Sequence, residues 1–179
     1  MVPRKTDDIF IELPKCMTQM HEKMIERTRN LSNINKVNAG EWFLECWILT
    51  RWILEYALTS VHSKQISREL IDLNKLKVKI IFDGIHNEKF SEVGVTSNDI
   101  ESFVSSAIET YSRIVAEQGF PECLPIITDI CISGIFDIKN ENVFESFLLT
   151  NRSQINEFVM ELLGHIDKAK TFWNSFLPN

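Results

Sequence analysis

The sequence predicts an all-α fold: a single-domain helical bundle of six to seven helices around a central hydrophobic helix at about residues 41–62. Three observations carry that prediction. Apolar residues recur at three- and four-residue intervals in segment after segment. Turn formers are scarce, with 6 glycines and 5 prolines in 179 residues, whereas a β-fold of this length needs many turns. The stretch Glu41 to His62 (EWFLECWILTRWILEYALTSVH) holds three of the four tryptophans and no turn chemistry. The length suits one domain over 1–179, and 44% hydrophobic content is that of an ordinary globular chain.

In chain order, residues 1–12 read as an N-terminal arm anchored by Ile9, Phe10 and Ile11. Pro14 fits the first turn of a helix. From about Lys15 to Asn30, Met17, Met20, Met24 and Ile25 form a narrow apolar stripe, continued by Leu31. Residues 30–40 are rich in Asn, Ser and Gly and read as a link. After the central helix, Ser63 or Ser67 caps a helix to about Phe82. Residues 76–82 alternate as a strand would, but a lone strand has no partner here. Residues 83–94 are a polar loop.

The next helix has the cleanest periodicity. Thr96 and Asp99 open it, and Ile100, Phe103, Val104, Ala107, Ile108, Tyr111, Ile114 and Val115 form one apolar face. Gly119 suits its C′ position, and Pro121 blocks continuation. Residues 122–136 are apolar enough for a buried helix ending near Gly134; the β-branched residues at 126–132 also permit a strand. A turn at 137–142 precedes a short helix, Val143 to Leu149. Ser153 caps the last helix, which runs to about Phe176, with Gly164 inside it at a cost of about 1 kcal/mol against alanine.

Composition excludes several function classes. A net charge of −6 disfavours a broad phosphate-binding surface, so no nucleic-acid partner is expected. The cluster Lys64, Arg68, Lys75, Lys77 and Lys79 is broken by Glu69 and Asp72 and carries no interleaved aromatic. The central run is no membrane span, because Glu45, Arg51 and Glu55 interrupt it. The opening residues carry no signal-peptide or lipidation pattern. None of Cys16, Cys46, Cys123 and Cys131 forms a C-x-x-C pair. Reduced thiols in a cytoplasmic protein are therefore expected.

No phosphate loop, nucleophile elbow or metalloprotease motif is present, and no cofactor is expected. Glu161 and His165 lie four apart, a spacing that holds a metal only if other helices add ligands.

A helical wheel of the central segment, at about 100° per residue, divides it. Trp42, Phe43, Cys46, Trp47, Leu49, Ile53, Leu54, Ala57 and Leu58 fill an arc of about 200°. A mixed arc holds Glu45, Ile48, Arg51, Trp52 and Glu55. Tryptophan and arginine concentrate at interface hot spots. This arc is therefore the candidate contact for another protein or a second copy of the chain, and the leading functional expectation is a small acidic interaction or regulatory protein of inhibitor or immunity type. A second expectation is a ligand-sensing domain with an apolar pocket lined by Trp47, Phe158, Phe172 and Trp173. A third is an enzyme using Glu45, Arg51, Glu55 and His62 at one cleft. Coverage of Trp52 by its own chain separates core from contact.

Overall fold

A computed structural model describes residues 6–29, 31, 39–62 and 97–176. All regular structure among them is helical. The helices are α1 (Thr6–Arg29), α2 (Ala39–Val61), α3 (Ser97–Gln118), α4 (Leu124–Phe136), α5 (Glu141–Thr150) and α6 (Arg152–Phe176). The expected helix at 63–82, its strand alternative at 76–82 and the loop at 83–94 lie outside the described residues.

The central segment is the hub. α2 packs against α1, α3, α4 and α6, most extensively α6. Its residues from Cys46 to Leu54 are all buried. A helix that is apolar over most of its circumference has this one stable environment in water. Around it, Met17, Met20 and Met24 of α1, Val104 and Tyr111 of α3, Ile127, Cys131 and Ile132 of α4, and Phe158, Leu162, Ile166 and Trp173 of α6 complete one core. The methionine stripe is thus core packing, and the Thr50 hydroxyl reaches the Met24 sulfur at 3.5 Å.

Several boundaries differ from the sequence expectation. The first helix starts at Thr6 instead of near Pro14, so most of the expected arm is helical. Pro14 lies inside it, where its ring removes one hydrogen bond. Ile9 and Leu13 are buried in the core on the N-terminal side of Pro14, and that apolar burial offsets the loss. The segment 126–132 is helix, and α4 runs past Gly134 to Phe136, ending at Asp137 in the left-handed region (φ 45°). α5 starts two residues early because the Asn140 side chain accepts from Val143 N at 3.2 Å. The last helix begins before Ser153. Buried Asn151 joins α5 to α6: its side chain donates to Phe147 O at 3.0 Å, and its carbonyl accepts from Ile155 N at 2.9 Å. Gly119 ends α3 at φ 80°, as its position predicts.

Candidate functional site

The mixed arc of α2 faces inward. Trp52 is only 1% exposed and Ile48 is fully buried. The Trp52 ring stacks on Tyr56 at 5.6 Å and meets the edge of Tyr111 at 5.8 Å. This chain therefore covers its own Trp52. The sequence missed this because the wheel shows which residues share a face but not what lies opposite.

Arg51, also 1% exposed, is a buried cation held from two helices. Its Nε donates to Glu55 Oε1 at 2.9 Å, and its Nη1 donates to both carboxylate oxygens of Glu101 at 2.9 and 2.8 Å. Burial acts against the charge, but the two glutamates prevail and the guanidinium pKa is raised. The group ties α2 to α3 and leaves Arg51 no capacity for a reacting ligand on these atoms.

Glu45 sits apart from that group. It and Glu55 are ten residues apart, about 15 Å along the helix. The Glu45 carboxyl lies against Gly134 of α4, where an added methyl group would run into it. Burial, with the Glu41 charge beside it, pushes its pKa up to about 7. Glu45 and the Arg51 pair are therefore not brought to one cleft.

The expected pocket residues also divide. Trp47, Phe158 and Trp173 are packed into the core, and the Trp173 indole donates to Leu54 O at 2.9 Å. Phe172 is half-buried and lines a groove of about 510 Å³, not against α2 but between α1 and α6. α1 contributes Glu12, Lys15, Cys16, Gln19, Met20 and Lys23; α6 contributes His165, Lys168, Thr171, Phe172 and Ser175. Each set repeats at three- and four-residue steps, so each is one helical stripe facing the other.

The groove is basic in an acidic chain, with three lysines against one glutamate. Glu12 is paired with Lys15 at 3.1 Å. His165 is 4% exposed, and its Nε2 has no hydrogen-bond partner among the described residues. Among the described residues the carboxylate recorded beside it is Glu161 at 3.8 Å, beyond hydrogen-bond reach. Glu161 is drawn instead to Arg27 of α1, whose Nε lies 3.1 Å away and whose Nη2 holds Glu157 at 2.7 Å. Burial, then the charges of Lys168 and Lys23, lower the His165 pKa to about 4. At neutral pH the ring is uncharged, facing two cations.

The histidine of α1 is satisfied. His21 Nε2 lies 3.1 Å from the Phe43 carbonyl, and its ring edge meets Phe43 and Trp47. The cysteines are free thiols, three of them buried, and burial drives the Cys46 pKa up to about 12. A thiolate nucleophile is disfavoured there. Among the described residues, no cluster of three or more His, Cys, Asp or Glu could hold a metal ion, and no helix is long and apolar enough to cross a membrane. Comparison with protein-family models, curated proteins and solved structures finds no match.

Sequence reasoning missed Lys15, Lys23 and Lys168. Their signal was present, as polar positions flanking the Met17–Met24 and Phe172 stripes. Nothing in the sequence said that these two stripes, about 150 residues apart, face each other.

Proposed function

We propose that this chain is a non-catalytic, ligand-binding helical domain whose site is the groove between α1 and α6. The observation that carries the reading is the groove itself. Its volume of about 510 Å³ falls within the range of small-molecule sites, and apolar Met20 and Phe172 share its lining with a few convergent polar groups. The interaction-protein expectation loses its motivating surface, because Trp52, Ile48 and Arg51 are covered by their own chain. Protein binding keeps one specific support: Ile126 and Ile130, one turn apart on α4, are both partly exposed at 39% and 40%. Two such residues make a small patch, and scattered exposed apolar groups are ordinary.

The test is a thermal-shift screen of the full chain with small amphiphilic and apolar compounds. A ligand at one hundred times its Kd stabilises by about 2.7 kcal/mol, a Tm rise of roughly 5–10 °C for a chain of this size. Gln19→Trp, which fills the groove from an exposed position, is expected to abolish the rise while the protein still folds. A flat response across the library contradicts the proposal.

A further inference from the structure

We infer that the groove takes an anionic amphiphile, with Lys23, Lys168 and His165 receiving the acid head and Met20 and Phe172 flanking the apolar part. The inference rests on the groove being the site and adds the chemistry of what enters it.

Three observations carry it. First, Lys23 of α1 and Lys168 of α6 face the same groove from opposite walls, and neither makes an ion pair among the described residues. Two cations that line one groove without an ion-pair partner among the described residues favour an anion there. Lys15 differs, because Glu12 already neutralises it. Second, His165 is a groove-lining side chain more than nine-tenths buried whose Nε2 has no hydrogen-bond partner among the described residues. A buried polar nitrogen without a partner is costly. Among the described residues the nearest carboxylate oxygen, Glu161 Oε1, stands 3.8 Å away, beyond hydrogen-bond reach, while Glu161 Oε2 pairs with Arg27. An acid oxygen accepting from an Nε2–H supplies that bond. Third, the same lining includes the Met20 thioether and the Phe172 ring. These surfaces suit an alkyl or aryl group and offer no gain to a bare inorganic ion.

Isothermal titration calorimetry on the full chain tests this with four probes: octyl phosphate, octanoate, octanol and inorganic phosphate. At least one of the two charged octyl probes is expected to bind, and to bind ten times or more tighter than octanol and than inorganic phosphate. Whichever of the two is preferred distinguishes a phosphate head from a carboxylate head. Lys23→Met with Lys168→Met, both at exposed positions, is expected to weaken the charged probe at least tenfold and to leave octanol unchanged. Lys139→Met, which removes an exposed lysine paired with Asp137, is the control and is expected to change nothing. Octanol binding as tightly as the charged probes would overturn the acid-head assignment while leaving the groove as a site. Inorganic phosphate matching octyl phosphate would overturn the apolar half. Unchanged binding by the double lysine variant would place the anion elsewhere and overturn the assignment. Failure of all four probes would overturn this inference, whereas the proposed function falls only if the wider screen is flat as well.

Discussion

Single residues decide how this core tolerates charge. Arg51 is buried, and Glu101, which takes both Nη1 bonds, keeps 30% of its side chain exposed. Removing one partner of a buried pair leaves an uncompensated charge, at a typical cost of 3–5 kcal/mol. Glu101→Ala is expected at the lower end, about 3 kcal/mol by urea denaturation, because water can reach the vacated position. A loss below about 1 kcal/mol would mean the pair behaves as an exposed one. Two other residues give opposing pH responses. The Glu45 pKa is raised from 4.5 to about 7, so the folded state holds a proton that the unfolded state releases. Stability from this group is present below about pH 4.5 and is lost as pH rises to about 7. The His165 pKa is lowered from 6.5 to about 4, so the unfolded state binds the proton first. Its contribution is present above about pH 6.5 and is lost as pH falls towards 4. The two slopes partly cancel in the native chain. Glu45→Gln is expected to be more stable than the native protein at pH 8, by about 1 kcal/mol after allowance for the carboxyl's partial exposure. His165→Gln is expected to resist acid better. Denaturant midpoints at pH 5, 6.5 and 8 check both signs.

At the scale of elements, two helical glycines make a paired test. Among the described residues nothing lies within 4 Å of a methyl group built on Gly164 of α6, whereas one built on Gly134 of α4 meets the Glu45 side chain. Alanine exceeds glycine by about 1 kcal/mol in a helix interior. Gly164→Ala is therefore expected to stabilise by up to about 1 kcal/mol. Gly134→Ala is expected to destabilise despite the same gain, and Glu45→Ala in the same chain is expected to relieve it. A double-mutant cycle showing no coupling between 134 and 45 would contradict the contact. The sequence recorded the Gly164 penalty but could not distinguish the two glycines, since only Gly134 faces another helix. Element existence was legible wherever apolar periodicity was long, as in α2, α3 and α6. Starts were less legible because caps and packing competed. Pro14 reads as a first-turn residue, yet burial of Ile9 and Leu13 carries the helix eight residues further back, to Thr6.

For the whole molecule, the central helix and the helical architecture of the described residues follow from composition and periodicity, because a wide apolar arc must be surrounded. Which helix covers which face does not follow. Trp52 carries the hot-spot signature in sequence and is a core residue in the fold, with Tyr111 of α3 against it. The groove shows the converse: its lysines look like solvated polar positions until α1 and α6 are placed side by side. Phe172 alone belonged to both the expected pocket and the observed one. The most direct test of that groove as the protein's site is backbone amide shift mapping of the full chain during titration with octyl phosphate. Shifts confined to residues 12–23 of α1 and 165–175 of α6 are the predicted result. Shifts centred on Ile126 and Ile130 of α4 would contradict it, and no shifts with either octyl phosphate or octanoate at saturation would overturn the anionic-amphiphile assignment.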